Sequence, residues 1–430
     1  MKVAFHTLGC KVNLYETNVL MEKFAENGFE IAEPTEKADI YIVNSCTVTA
    51  GGDKKTRQIL RRFKRQNEDA VIVLTGCFPQ AFPDVSEKIP EADIITGSSN
   101  RKMLLQYVVS FLQNGEKIIE IAPHEKGEKF ETMSLHTFHE RTRAFIKIQD
   151  GCERYCTYCI IPYARGFVRS KPLEDLKKEV EALAENGYKE IVLVGINLST
   201  YGKGTEHRLV DAVELCASVN GIESVRLGSI EPDLLTDEDL RRMSALREFC
   251  PQFHLSLQSG CDETLTRMNR HYDTAFYKDL VDRIRATFEN STITTDIMVG
   301  FAGETDEEFS KSVAFLKEIG FAKAHVFPYS IREGTRAAKM TNHIDPQTKE
   351  KRTQIMLSAA EETREAFLKT QVGLEEEVLV ETPIGENLYE GYTKNYTPVR
   401  FFCEENFEGK IVKIKITDCE KDFCRGEIIL

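Results

Sequence analysis

With 430 residues, 41% of them apolar and 29% charged, the chain has the size and composition of two or three soluble domains with ample core. A net charge of −13 excludes a generally basic nucleic-acid coat but leaves room for a local basic patch. No apolar run approaches a membrane span, and the amino terminus, Met1-Lys2-Val3-Ala4-Phe5-His6, has no signal-peptide core. The reading is a cytoplasmic protein with no membrane partner, in which 12 cysteines point to metal before disulfides.

Residues 1–140 read as one α/β unit. Val3–Leu8 is a strand ending at Gly9-Cys10, and a helix runs from about Asn13 to Glu26, stopped by Asn27-Gly28. Ile40–Val43 leads to Asn44-Ser45-Cys46, a helix follows over 51–66, and Val71–Leu74 leads to Thr75-Gly76-Cys77. Asp93–Thr96 is a fourth strand, with a helix from Asn100. Strands alternating with helices imply a doubly wound parallel sheet, whose ligands sit beyond the carboxyl ends of the strands. Cys10, Cys46 and Cys77 each fall just past such an end. Spacing alone leaves open a metal site or three buried structural thiols. The run from Lys54 to Arg65 is the densest positive stretch, suited to RNA phosphates or to a solvated helix face. Residues 114–140 read as a linker.

In the second unit, residues 141–370, strand Ala144–Ile148 delivers the chain into Asp150-Gly151-Cys152-Glu153-Arg154-Tyr155-Cys156-Thr157-Tyr158-Cys159. Three soft ligands in one loop favour iron–sulfur or zinc, and zinc sites usually pair their cysteines and close a set of four. A cluster held by three keeps one iron free for a non-protein ligand. Helices at 173–185, 208–219, 237–246, 274–289 and 306–319 then alternate with strands at 190–194, 224–227, 253–257, 293–298 and 323–327. Six repeats make a partial (β/α)6 barrel, two short of closure, with an open side that suits a macromolecular substrate. Asn197, Glu231, Gln258 and Asp296 are polar groups at the carboxyl ends of its strands. Arg141, Arg143, Arg165 and Arg169 flank the cysteine loop, positioned either to neutralise phosphates or to balance nearby acids. Cys216, Cys250 and Cys261 read as packed thiols.

A long helix from Asp345-Pro346 to about Thr370 leads to residues 371–430, where Glu377–Glu381, Val399–Phe402 and Lys410–Ile416 are strand-like and suggest a small β-barrel. Gly391–Tyr396 places aromatics and a lysine between strands, a pattern that holds single-stranded bases or simply makes a turn. Cys419 and Cys424 lie close together in sequence, a weak pairing signal.

Cys152-x-x-x-Cys156-x-Tyr158-Cys159 resembles the signature of radical S-adenosylmethionine (SAM) enzymes. Gly9-Cys10-Lys11-Val12-Asn13, Asn44-Ser45-Cys46 and Thr75-Gly76-Cys77 are similar to the amino-terminal domain of the methylthiotransferases in that superfamily. Ser256–Gly260, Met268–Arg270 and Thr295–Phe301 resemble further motifs of that family, and the tail resembles a TRAM domain, an RNA-binding barrel. The resemblance implies two [4Fe–4S] clusters, one on Cys152, Cys156 and Cys159 that chelates SAM, and an auxiliary one on Cys10, Cys46 and Cys77. It implies Tyr158, Asn197, Glu231, Gln258 and Asp296 as lining of the SAM pocket, with Asn13, Glu16 and Thr17 either orienting the auxiliary-cluster loop or serving as caps and helix surface. It assigns no catalytic side chain. The implied substrate is N6-threonylcarbamoyladenosine at position 37 of the tRNA anticodon loop, and the implied partners are a reducing electron donor and a sulfur source. The alternatives are another tRNA adenosine such as the N6-isopentenyl one, an aspartate of a ribosomal protein, or a non-catalytic iron–sulfur RNA-binding scaffold.

Overall fold

The computed structural model describes residues 1–137 and 142–429. Its first unit is a parallel sheet of six strands whose order across the sheet, numbered along the chain, is 2-1-3-4-5-6. Strands Lys2–Thr7, Ile40–Ser45 and Val71–Gly76 lie side by side, in register from Val3↔Ile40 to Ser45↔Gly76. Both faces are apolar because helices cover both. Leu20, Phe24, Leu104 and Val108 pack on one face, Ile59, Leu60 and Phe63 on the other. Strands Glu30–Ala32 and Ile118–Glu120 extend the sheet, so part of the expected linker is an edge strand. Three residues are too few for periodicity to register.

The second unit is the partial barrel. Its parallel strands are Arg143–Asp150, Glu190–Gly195, Ser224–Leu227, Gln252–Leu255, Thr292–Val299 and Lys323–Pro328. With the two-residue strands Arg169–Ser170 and Ser229–Ile230 they form two four-stranded sheets, stitched at Val225, whose N–H donates to Glu248 O at 2.7 Å and whose carbonyl accepts from Cys250 N at 2.9 Å. Among the described residues no ladder joins the first strand to the last. The first unit reaches across that gap. On one lip Val12, Tyr15 and Val19 of helix Lys11–Glu26 share a core with Phe145 and Leu176. On the other, Arg332 Nη2 donates to Thr47 Oγ1 at 2.6 Å and Asp53 Oδ2 at 2.8 Å.

Helix Pro346–Gln371, capped by Asp345, packs Met356, Ala359 and Ala360 into the barrel core and ends with Leu368 in the core of the third unit. That unit is a closed barrel of Glu375–Gly385, Leu388–Thr393, Pro398–Phe402, Cys424–Ile428 and Ile411–Cys419, in that order. It docks at the amino ends of the larger barrel's strands. Arg143 pairs with Glu190 at 3.4 Å and with Glu381, and lies 5.2 Å and 5.0 Å from the ring centres of Tyr392 and Tyr396. Arg226 covers Tyr396 at 4.7 Å and donates to Lys394 O at 2.9 Å. The two tyrosines stack on each other at 4.6 Å. The Gly391–Tyr396 turn is therefore interdomain packing rather than an open platform for bases. At ~3.3 Å per residue, the eight-residue strand Arg143–Asp150 puts roughly 25 Å between this end and the cysteine end. Among the described residues no helix is long and apolar enough to cross a membrane.

Candidate functional site

In an open parallel sheet the binding crevice lies where strand order reverses. Here that point is between Lys2–Thr7 and Ile40–Ser45. Cys10 follows the first strand, Cys46 the second, and Cys77 the next strand over. Gly9 makes the approach possible: its φ is +104°, and a Cβ there would stand 2.6 Å from Cys46 Cβ and 2.9 Å from its Sγ. Asn13 Nδ2 ties the loops together by donating to Leu8 O at 2.8 Å and Ser45 O at 3.0 Å. Thr17 Oγ1 accepts from Thr7 Oγ1 at 2.8 Å and from Asn44 Nδ2 at 3.2 Å. Burial pushes the Cys77 thiol up to about 12, against the pull of Arg165 and with Cys46 and Cys10 adding to the rise.

The second triad occupies the loop between strand Arg143–Asp150 and helix Ile161–Arg165. Gly151 starts it at φ +77°, where a Cβ would lie 1.8 Å from Phe167 O, and Cys152 N donates to Gly166 O at 3.0 Å. Asn197 Nδ2 stands 3.8 Å from Cys152 Sγ, and Arg270 Nη1 stands 3.3 Å from Cys156 Sγ. Burial raises the Cys159 thiol, and Cys156 raises it further. Among the described residues no three His, Cys, Asp or Glu side chains gather closely enough to hold a single metal ion. Cluster ligands need not, because each thiolate meets its own iron.

A buried ionic network joins the two triads. Arg165 is fully buried. Its Nε donates to Cys77 Sγ at 3.1 Å, its Nη1 to Glu16 Oε1 at 2.6 Å, and its Nη2 to Glu16 Oε2 at 3.0 Å and to Asn13 Oδ1. Nη1 also reaches Asp150 Oδ2 at 3.5 Å, one residue before the second cysteine loop begins. Lys147 Nζ bridges Glu16 at 2.7 Å and Asp150 at 2.8 Å, and Arg101 Nη2 pairs with Glu16 at 3.1 Å. Arg169 meets Asp150 at 3.5 Å and Glu128 at 3.3 Å. Burial opposes the Glu16 charge, but Arg101, Arg165 and Lys147 hold the carboxyl down to about 2. Four cations thus face three carboxylates beside Cys77.

The other expected site residues fall into two groups. Tyr158 lies edge-on to Phe301 at 6.3 Å, and burial raises its phenol. Asn197 N donates to Gln149 Oε1 at 2.7 Å, and its Oδ1 is buried with no partner among the described residues. Glu231 Oε2 accepts from Arg270 Nη2 at 2.5 Å and lies 3.8 Å from Arg154. These three cluster with the cysteine loop. Gln258 and Asp296 form a separate pair: Gln258, at φ +70°, donates from its N–H to Asp296 O at 2.8 Å, and Asp296 Oδ2 lies 3.3 Å from His254 Nε2.

Arg270, Lys147, Asp150 and Arg101 were missed as site residues. Lys147 and Asp150 carried a signal, charges inside and at the end of an apolar strand that must be paired if buried. Of the flanking arginines, Arg143, Arg165 and Arg169 are buried and balance acids, and Arg141 lies outside the described residues. The basic helix Ala50–Gln66 buries Thr56, Ile59, Leu60 and Phe63 and exposes Lys54, Lys55, Arg57, Arg61, Arg62 and Arg65, beginning four residues after Cys46. Cys216, Cys250 and Cys261 are buried free thiols, and Cys419 and Cys424 face each other across an antiparallel strand pair, also as free thiols.

Comparison with known proteins covers the whole chain. Residues 146–316 match the radical SAM superfamily, residues 2–97 an uncharacterized protein family, UPF0004, and residues 369–429 the TRAM domain. A threonylcarbamoyladenosine tRNA methylthiotransferase (MtaB) of Bacillus subtilis is 38% identical across 99% of this chain and 96% of its own length. One from Aquifex aeolicus is 36% identical over 97% and 100%. A tRNA-2-methylthio-N(6)-dimethylallyladenosine synthase of Clostridium perfringens is 36% identical over 98% and 96%. In fold, the radical SAM methyltransferase TsrM of Kitasatospora setae superposes with a TM-score of 0.55 at 13% identity, covering 76% of this chain and 72% of its own. With two cysteine triads brought together beside an open partial barrel and full-length relatives of this kind, the chain belongs to the tRNA methylthiotransferases of the radical SAM superfamily.

Proposed function

We propose that the chain converts N6-threonylcarbamoyladenosine at position 37 of tRNA to its 2-methylthio derivative in the cytoplasm. The observation that carries this reading is the pair of cysteine triads, one local and one assembled from three strand ends, tied together by Arg165. The choice of adenosine follows the relatives named for threonylcarbamoyladenosine, which span the chain at 34–38% identity in three bacteria. Residues 1–140 serve as the auxiliary-cluster unit, 141–370 as the radical unit and 371–430 as the RNA-binding unit.

The donor sets fit two [4Fe–4S] clusters. Arg165, Arg270 and Asn197 direct N–H groups at sulfurs, as thiolate ligands require. The excess of buried cations beside Cys77 suits an anionic ligand set, and a bound metal replaces the proton that burial otherwise keeps on such thiols. Cys10, Cys46 and Cys77 would hold the auxiliary cluster, and Cys152, Cys156 and Cys159 the one that leaves an iron open to SAM. When bound, the clusters and SAM supply the electron, the radical source, the sulfur and the methyl group. The protein's part is position and exclusion of water. Asn197 Oδ1, buried without a partner, offers an acceptor beside Cys152. Glu231, fixed by Arg270, adds a carboxylate and Tyr158 an aromatic edge, with Gln258 and Asp296 as further lining at the strand ends. A reductant and a sulfur source must come from elsewhere.

Anaerobic reconstitution with iron and sulfide tests the reading. About eight irons per chain are expected for two four-iron clusters, with deoxyadenosine released from SAM and 2-methylthio-threonylcarbamoyladenosine appearing in tRNA from a strain lacking the enzyme. RNA binding without SAM cleavage would leave only a scaffold. Methylthiolation of an isopentenyladenosine alone would reassign the substrate.

A further inference from the structure

Between the first two cysteines of the radical loop the chain adopts a costly conformation. Tyr155 has φ +50°, in the left-handed region where a bulky side chain is strained. Its carbonyl is held by Asn269 Nδ2 at 3.3 Å, and Asn269 is itself left-handed, at φ +58°. The strain does not serve burial, because Tyr155 remains 44% exposed. It meets Tyr163 edge to face, ring centres 6.4 Å apart at 77°. Tyr163, 51% exposed, sits on the single helical turn Ile161–Arg165, whose last residue is the buried Arg165. Both rings are thus carried by the segment that runs from Cys152 to the buried Arg165.

The two rings line a pocket of about 310 Å³ with Pro83, Pro123, Pro162 and Phe167. The polar groups in its walls are committed elsewhere. Gln80 Nε2 donates to Ala122 O at 2.9 Å and its Oε1 accepts from Ser98 N at 2.9 Å. His124 Nε2 is 2.8 Å from Ser98 Oγ and its Nδ1 is 2.9 Å from Glu128. What remains for a ligand is the exposed faces of the two rings and the prolines beside them. Glu153, two residues before Tyr155, is neutralised by Lys203 at 2.8 Å. The pocket is continuous with both cysteine-bearing segments, since Gln80 and Pro83 follow Cys77 and Tyr155 precedes Cys156.

The geometry points to Tyr155 and Tyr163 as a stacking platform for an unpaired nucleobase of the RNA substrate, a neighbour of the base that is modified. The inference rests on the tRNA reading above. A base fits where a peptide would not be read: the exposed face of either ring holds any base by stacking, whatever its sequence. A loop base displaced beside the target is also what removing the target from its stack creates.

The test uses reconstituted full-length enzyme and anticodon stem-loop RNAs carrying 2-aminopurine, one position at a time, in the loop positions flanking the target adenosine. Binding by the wild type should change the emission at one of these positions. Tyr163→Ala and Tyr155→Ala should abolish that change and weaken binding about tenfold to a hundredfold, the worth of one base–aromatic stack. Tyr163→Trp and Tyr163→Phe should restore both, and Tyr163→Ala should keep full iron content. Unchanged emission and affinity in the alanine variants would overturn the platform. So would failure of the aromatic variants to restore binding at full iron content, which would mark the loss as structural. If Tyr155→Ala loses iron, Tyr163→Ala decides. A wild type that binds and shows the emission change but modifies a different adenosine would sink the substrate reading and support the platform. A wild type that binds no RNA sinks both.

Discussion

Replacing Arg165 with methionine removes the one side chain that touches Cys77, Glu16, Asn13 and Asp150 at once. Removing one member of a buried ion pair costs about 3–5 kcal/mol, because the partner is left charged and dry. Glu16 keeps Lys147 at 2.7 Å and Arg101 at 3.1 Å, so the low end applies. About 3 kcal/mol is roughly a hundredfold in an opening equilibrium. The loss should be local, because the network lies between helix Lys11–Glu26 and helix Ile161–Arg165. Amide hydrogen exchange of the protein without clusters reads this directly, since local openings carry their own free energies. Exchange in those two helices should speed up about a hundredfold, while the closed barrel of Glu375–Ile428 exchanges as before. Arg165→Lys should recover only part of the protection, since one ammonium cannot span the bonds made by a planar fork. Wild-type exchange in both helices, or equal acceleration everywhere, would refute the claim that this arginine couples the two cysteine units.

Two further outcomes follow from the same buried chemistry. Burial would raise the Glu190 carboxyl, but Arg226 and Arg143 more than offset it and leave it below the ordinary range. A depressed folded pKa adds stability above the unfolded value, about 4.3 for glutamate, and that stability is lost as pH falls through the folded value. The advantage of wild type over Glu190→Gln in urea midpoint should therefore hold at neutral pH and shrink below about pH 4.3; a gap that widens on acidification would contradict it. Gly151→Ala places a Cβ 1.8 Å from the carbonyl oxygen of Phe167 at φ +77°, and a backbone atom cannot swing aside. Iron after reconstitution should fall from about eight to about four per chain, one four-iron cluster lost, with full loading as the refuting result.

The placement of the six cysteines proposed as cluster ligands, at the ends of strands and in one loop, was legible because each rests on a local pattern. Cys10, Cys46 and Cys77 follow strands whose apolar runs are continuous, and βα alternation alone says which ends share an edge. The network between the triads was not readable. Arg165 meets Glu16 from 149 residues away, and strand Arg143–Asp150 is buried at every position, so no alternation marks Lys147 as inward or outward. The tyrosine turn failed for a related reason. Sequence shows that Tyr392 and Tyr396 can stack, but whether their partner is RNA or a neighbouring domain depends on Arg143 and Arg226, which only the fold delivers.

These placements constrain how an acidic protein holds RNA. The modified base must reach the carboxyl ends of the barrel strands, where both triads lie, whereas the closed barrel sits at the amino ends, roughly 25 Å away by strand length. One RNA touching both must run along the outside of the larger barrel. The gap between its first and last strands is filled by the first unit, whose basic helix starts beside Cys46. Positive charge therefore belongs on that helix rather than spread over the surface. With a net charge of −13, repulsion from the rest of the surface should favour RNA docking along this helix over other modes, and charge reversal at Arg61 and Arg62 should weaken tRNA binding.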